Sequence, residues 1–265
     1  MGELITSIEG GVATMVMNRP EARNALSDGM LAGMHEFLAR VERDEAVRCV
    51  VLKGAGEHFM AGGDVKRFAA MAGMAPEERR RHFEARIHAN LHPVMYLMRR
   101  MPKPTLAAIQ GAAAGFGLSL ALACDLAIAA DNAFFTLAYV NIGTSPDGSG
   151  TYHLARVVGM RKALEIAYLG DRFDAREAER LGLVNFVVAA AEFEAATARL
   201  AGRLASGPTR AMANTKRLLQ ASLDRDFEAQ LQAEALSFAD CATSEDWAEG
   251  VRAFAEKRPP RFQGR

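Results

Sequence analysis

Tryptophan is nearly absent from this chain, with one residue in 265, and cysteine is scarce, with three. Cys49, Cys124 and Cys241 lie far apart, two of them inside apolar runs, and they read as reduced buried thiols. Charge of one sign is missing too. Lys+Arg and Asp+Glu stand at 32 each, so no net field marks the surface for nucleic acid or membrane. No uncharged apolar run is long enough to cross a bilayer, and no basic flank with an apolar segment opens the chain; a soluble, cytoplasmic protein is expected. The six histidines show no ligand spacing: His82, His88 and His92 share one helical stretch without a carboxylate or thiol to complete a set, so no metal is expected. Met1-Gly-Glu-Leu-Ile-Thr6 fits a loose N-acylation pattern, but the same residues read as the start of a strand.

Half of the residues are hydrophobic, enough for a substantial core. What stands out within that is a pair of glycine-rich turns, Phe59-Met-Ala-Gly-Gly-Asp-Val-Lys66 and Gln110-Gly-Ala-Ala-Ala-Gly-Phe-Gly-Leu-Ser119. Each follows a strand-like run, Cys49–Gly54 and Thr105–Ile109, and the second opens into an apolar helix at Leu118–Leu122. Glycine at such turns lets backbone approach a ligand and present bare N–H groups. Two N–H groups converging on one oxygen make an oxyanion hole, which points to acyl transfer or enolate chemistry.

Along the chain, Leu4–Ile8 and Val12–Met17 around Glu9-Gly-Gly11 predict a hairpin. Ser27-Asp28 caps an amphipathic helix to Glu42, and Val47–Lys53 reads as a strand buried on both faces. A charged helix runs from Pro76 to Arg100, with an apolar stripe through Phe83, Ile87, Leu91 and Met98. Strands are expected at 105–109, Leu126–Ala130, Ala133–Thr136 and Val184–Val188. Helices are expected at Thr151–Leu169, Ala175–Leu181, Glu192–Leu204 and through most of Pro208–Lys257. The first two thirds are thus β-β-α units, and a helical appendage follows.

These residues resemble the enoyl-CoA hydratase/isomerase (crotonase) superfamily. The resemblance is carried by Asn18-Arg-Pro-Glu-Ala-Arg-Asn-Ala-Leu26, by both glycine turns, by Leu181-Gly-Leu-Val184 and by the tail Phe254-Ala-Glu-Lys-Arg258. It implies an α/β fold, a crotonase-type spiral of β-β-α units over 1–205 carrying a CoA-thioester site, with a C-terminal helical trimerisation region at 206–265. It also implies acyl-CoA substrates, no cofactor beyond the coenzyme A of the substrate, and assembly as a homotrimer or dimer of trimers. Leu218, Leu219, Leu223, Phe227, Leu231 and Leu236 form the apolar face expected to be buried against the chain or other subunits.

Carried over onto this sequence, the two oxyanion donors fall on the backbone N–H groups of Gly63 and Phe116. Arg23, Ala25, Ala61, Asp64, Val65, Lys66 and Ala112 would border the CoA thioester, with Phe254 and Lys257 reaching its nucleotide end from the tail. The positions of the two hydratase glutamates fall on Ser119 and Tyr139, neither a carboxylate, and Tyr has an ordinary pKa near 10. The acid available is Asp147 in Ser145-Pro146-Asp147-Gly148, where related isomerases and dehalogenases carry an active aspartate. These departures make an enoyl-CoA isomerase-type proton shuttle the expected activity. The alternatives are a hydratase, a thioester hydrolase or dehalogenase using Asp147 as nucleophile, and a non-catalytic acyl-CoA-binding member. Asp147 also suits a helix cap, and His153 either assists it or packs along the following helix.

Overall fold

Leu4–Glu9 (β1) and Val12–Met17 (β2) pair antiparallel around Gly10 and Gly11, both at positive φ. The computed structural model describes residues 2–265; Met1, and with it the start of the acylation pattern, lies outside them. The Ser27 hydroxyl accepts the Met30 N–H and starts Asp28–Arg43 (α1), which buries Met30, Met34, Phe37, Leu38 and Val41. Then come Cys49–Gly54 (β3), Val65–Ala70 (α2), Pro76–Arg86 (α3) and His92–Arg100 (α4). Thr105–Ile109 (β4), Ala112–Ala114 (β5) and Phe116–Leu122 (α5) form the next unit, followed by Leu126–Ala130 (β6) and Phe134–Thr136 (β7). Gly150–Val158 (α6), Met160–Leu169 (α7), Phe173–Asp174 (β8), Ala175–Arg180 (α8), Phe186–Val188 (β9) and Phe193–Ala205 (α9) complete the body. Thr209–Ser222 (α10), Phe227–Ala242 (α11) and Glu245–Ala255 (α12) end the chain.

The large sheet has the order β1-β2-β3-β4-β6-β9, parallel throughout except for the hairpin. Its side chains alternate faces as strand geometry requires. Met15, Met17, Val50, Leu52, Ala107, Ile109 and Ala129 enter the main core with α1, α4 and α5. Cys49, Val51, Leu106, Ala108 and Ile128 face the other way, onto Phe193, Ala196, Ala201 and Ala205 of α9. β4 continues into β5 and β6 into β7, and these second strands form a small sheet of order β5-β7-β8. Two successive turns, β4-β5 and β6-β7, therefore each place one strand in each sheet, as in a spiral of β-β-α units.

Three elements differ from the sequence reading. The helix expected over Thr151–Leu169 is broken at Gly159, whose φ of +75° ends α6 as its N–H returns to Ala155. The long helix to Arg100 contains a π turn, Ile87–Leu91, between α3 and α4; Leu91 and Met98 are buried as expected. Ala112–Ala114, read as glycine-rich turn, is a strand paired with Phe134–Thr136.

The end of the chain is anchored by charge. Lys216 of α10 reaches Asp125 at 2.9 Å, Arg48 donates to Thr209 and to the Phe262 carbonyl at 3.0 Å each, and Asp246 accepts the N–H groups of Gln263 and Gly264. The apolar face of α10 and α11 is not covered by the body, contrary to one of the two expected modes of burial. Leu219, Leu223, Phe227, Leu231, Leu236 and Phe238 are half or more exposed.

Candidate active site

The two glycine turns meet because their strands run in register. Phe59 donates to Gln110, Met60 donates to Ala112 and receives the N–H of Ala114, so Met60 and Ala113 form a parallel bridge. Two residues on, Gly62 therefore lies beside Gly115. A Cβ at Gly62 would stand 2.9 Å from the Ala114 carbonyl oxygen and 3.4 Å from the Phe116 nitrogen, and φ there is +96°. Only glycine fits at this crossing. Beyond it the chains diverge, and among the described residues neither the Gly63 N–H nor the Phe116 N–H has an acceptor. Phe116 is the first residue of α5, where unpaired N–H groups and the helix dipole favour negative charge, so one free amide from each turn stands ready for an anionic oxygen.

The acid lies on the following loop. A single 3-10 turn, Tyr139–Ile142, framed by Ala138 and Gly143 in left-handed backbone, folds the chain back so that the Tyr139 hydroxyl donates to Asp147 Oδ1 at 2.6 Å. Ser119 Oγ, fully buried on α5, lies 3.3 Å from the same hydroxyl oxygen. The phenol's one hydrogen goes to the carboxylate, so Ser119 donates to Tyr139. Burial pushes the Asp147 carboxyl above its ordinary range, against the opposing pull of the Tyr139 bond and of Arg86 and His92. Burial and the adjacent carboxylate push the Tyr139 phenol far upward, so it stays a protonated donor. The aromatic ring of Phe116 packs beneath Gly148, where a Cβ would approach it to 2.5 Å. One residue thus gives its N–H to the oxyanion side and its ring to the floor of the acid loop.

Asp147 is not a side-chain cap. Only its carbonyl takes part in the start of α6, accepting from Gly150, and the position before α6 is Ser149, without a capping side chain. Burial, with Arg99 and Arg156 nearby, holds His153 down to about 4, and its ring packs edge-on against Tyr152. It makes no hydrogen bond to Asp147 among the described residues.

The remaining expected residues fall in four places. Arg23, Ala25, Ala61 and Asp64 share one surface with Gly63: Ala61 donates to the Arg23 carbonyl, and Leu26 donates to Gly62. Within it Asp64 is occupied, paired with Arg19 at 3.1 Å and accepting the Arg67 N–H, while Val65 and Lys66 stand exposed on α2. Pro146 sits half-buried beside Asp147. Ala112 is buried, its N–H donating to His58 Nδ1 and its carbonyl accepting the Met60 N–H, so it supports the turn from behind instead of bordering a ligand. Phe254 and Lys257 are exposed near the end of α12. The tail beyond them is tied to Arg48, at the N-terminal end of β3, whereas the glycine turns leave the C-terminal ends of β3 and β4. Within one chain the two residues are not brought to the site.

Other residues that build the site escaped the sequence reading. Asn24 is fully buried in left-handed backbone at φ +57°, donates to the carbonyls of Ala55 and His58, and accepts the Arg19 N–H. It ties the 18–26 loop to the loop that leads into Gly62. An Asn in a turn motif is the available signal, since it tolerates this conformation. Phe68 covers Gly63, where a Cβ would meet its ring at 2.7 Å, and stands edge-on to Phe83 at 5.3 Å. Its i+5 distance from Gly63 carried no mark in the sequence.

A spiral of β-β-α units with two free amides at adjoining glycine turns is the arrangement that an oxyanion-binding enzyme requires. The chain matches the enoyl-CoA hydratase/isomerase family over residues 7–265, and it belongs to that family. It is 39% identical over 259 residues to a "Probable enoyl-CoA hydratase" of Rhodobacter capsulatus, covering 97% of this chain and 96% of the relative. It is 35% identical over 263 residues to the 1,2-epoxyphenylacetyl-CoA isomerase of Escherichia coli, covering 99% and 98%. Among solved structures, an enoyl-CoA hydratase from Polaromonas superimposes with a TM-score of 0.90 at 36% identity, covering 98% of this chain and 99% of that one.

Proposed function

We propose that this enzyme of the enoyl-CoA hydratase/isomerase family is an isomerase that moves a double bond along an acyl-CoA by a one-base proton shuttle. The observation that carries the reading is Asp147, a half-buried carboxylate whose side-chain hydrogen bond comes from a phenol, with no second carboxylate bonded to it among the described residues. In a 3-enoyl thioester the ionised Asp147 takes the C2 proton, and the electron pair moves into a dienolate. The N–H groups of Gly63 and Phe116 hold the dienolate oxygen, at roughly 2.7–3.1 Å each. Asp147, now neutral, returns the same proton to C4, and the carbonyl re-forms as a 2-enoyl thioester. No atom is gained or lost, and one base suffices because the proton leaves and returns on one face.

Desolvation favours this role. A carboxylate whose pKa is raised by burial is a stronger base than an exposed one. Hydration needs a second group to hold and activate water. The two positions that would supply it are Ser119 and Tyr139, whose hydroxyls are spent on each other and on Asp147. Relatives are more often named hydratase than isomerase, which keeps hydration as the reading to be tested against. The reaction as written uses no metal or redox group, and coenzyme A enters with the substrate. Lys66, exposed beside the Gly63 turn, suits the CoA phosphates.

Mass analysis of products from 3-enoyl- and 2-enoyl-CoA tests the reading. Isomerisation leaves the mass unchanged and shifts the ultraviolet absorbance of the conjugated thioester; addition of water or release of free CoA would replace it by hydratase or hydrolase activity. We further propose that the exposed face of α10 and α11 is covered by other subunits in a trimer or dimer of trimers. Leu219, Leu223, Phe227 and Leu231 present more contiguous apolar side chain than a free surface usually carries. Light scattering at micromolar concentration is expected to give a trimer or hexamer mass, and a monodisperse monomer would refute the assembly.

A further inference from the structure

We infer that Tyr139 is the positioning residue of the active site: pinned by Ser119, its hydroxyl fixes one oxygen of Asp147 and leaves the other as the sole proton carrier. The inference rests on the proton-shuttle reading and deepens it. A carboxylate on a loop with a free χ angle would not hold its proton-accepting oxygen at one fixed point relative to the thioester. Here Oδ1 is taken by the phenol at 2.6 Å, the short distance of a charge-assisted bond, and no other side chain bonds the carboxylate among the described residues.

The phenol is itself held. It has one hydrogen, committed to Asp147, and its oxygen receives the Ser119 hydroxyl from the rigid interior of α5. Ser119 is locked by packing, since a Cβ on Gly150 would stand 2.4 Å from its Oγ. The chain Ser119 to Tyr139 to Asp147 thus ties the acid loop to the same helix whose first N–H serves the oxyanion. Base and oxyanion donor are referenced to one rigid element, α5. That is what a shuttle needs, because the distance from carboxylate to C2 and to C4 depends on where the thioester oxygen is held.

The ionisable groups facing Asp147 are Tyr139 from the 3-10 turn, Arg86 from α3 and His92 from α4. Arg86 is held by Asp28 at 2.6 Å. Of these, only the phenol bonds the carboxylate directly, so its removal is the cleanest perturbation. Without the donor the ionised carboxylate loses a hydrogen bond and becomes harder to form.

The experiment is the pH profile of 3-hexenoyl-CoA isomerisation for the parent, Tyr139→Phe, Ser119→Ala and Asp147→Asn. Tyr139→Phe is expected to move the acidic limb of the kcat profile upward by roughly one pH unit, from the typical worth of a hydrogen bond to a charged group. At neutral pH it is expected to lower kcat about tenfold, at an unchanged KM. Ser119→Ala, which never touches Asp147, is expected to shift the limb in the same direction by less, and it serves as the test if Tyr139→Phe fails to fold. Profiles of both variants that superimpose on the parent, with any loss confined to KM, would overturn the positioning role while leaving Asp147 as the base. Full activity in Asp147→Asn would overturn the shuttle itself, and with it this inference.

Discussion

The two walls of the proposed active site are built on opposite plans. The oxyanion wall is made of backbone: parallel pairing of Met60 with Ala113 brings Gly62 to Gly115, and the working groups are amides that any residue possesses. The acid wall is made of side chains: Asp147, Tyr139 and Ser119 come from a loop, a 3-10 turn and a helix, and each works only as the residue it is. The first wall tolerates Phe at position 116 because only its N–H is needed, yet it cannot accept a methyl group at Gly62. The second tolerates backbone shifts but not a change of chemistry. A family can therefore keep one enolate-stabilising wall and exchange reactions by rewriting the other.

The sharpest way to break this comparison is to remove the acid and leave the amides. Asp147→Asn keeps the shape and the Tyr139 bond but cannot accept the proton. Isomerisation is expected to fall by about 10² to 10⁴, the usual worth of a general base. Acyl-CoA binding, measured by calorimetry with a non-reacting saturated thioester, is expected to stay within a few-fold. Loss of binding together with activity would mean that the two walls are not separable.

The reverse experiment disturbs the amides and leaves the acid. Gly62→Ala places a Cβ 2.9 Å from the Ala114 carbonyl in a conformation with φ at +96°. The turns must part, so both donors move at once. The expected loss in kcat is about 10² to 10³, comparable with deletion of one oxyanion donor. The pH midpoint of the remaining activity is expected to match the parent's, since Asp147 and Tyr139 are untouched. A displaced midpoint would show the walls to be coupled through α5.

The same division explains what could be read from the sequence. The hairpin at Gly10-Gly11, the Ser27 cap and the first glycine turn are local devices, written in residues adjacent along the chain, and the structure has them where the residues put them. The family follows from their order. Elements made by partners far away were illegible. Ala112–Ala114 has no strand-forming side chains and is a strand because Phe134–Thr136 pairs with it. The break at Gly159 depends on one dihedral inside an otherwise helical pattern. Asp147 was visible as a candidate, but its bond to Tyr139, eight residues back, exists only because the 3-10 turn folds between them. Ala112 was misassigned for the same reason: the turn motif does not say which of its residues face inward. Phe254 and Lys257 match the tail motif, yet the tie between Arg48 and the tail holds that end of the chain near the opposite ends of the strands.

The smallest expected effect concerns stability, and its sign follows from the raised Asp147 pKa. Below the ordinary carboxylate range the group is protonated in the folded and unfolded chain alike and contributes nothing. As pH rises, the unfolded chain ionises first, while burial resists ionisation in the folded one. Folded stability is therefore lost between the ordinary value and the raised folded value, and the deficit persists at neutral pH. Asp147→Asn removes the buried charge and keeps an acceptor for the Tyr139 hydroxyl, so its Tm at pH 7 is expected to exceed the parent's. The advantage is expected to vanish below about pH 4, where the parent carboxyl is protonated in both states. Thermal unfolding of both proteins at matched concentration across this range measures it. A variant less stable than the parent at pH 7 would mean that the favourable pull of Tyr139, Arg86 and His92 outweighs desolvation. Asp147 would then be a structural anion rather than a base held above its resting range.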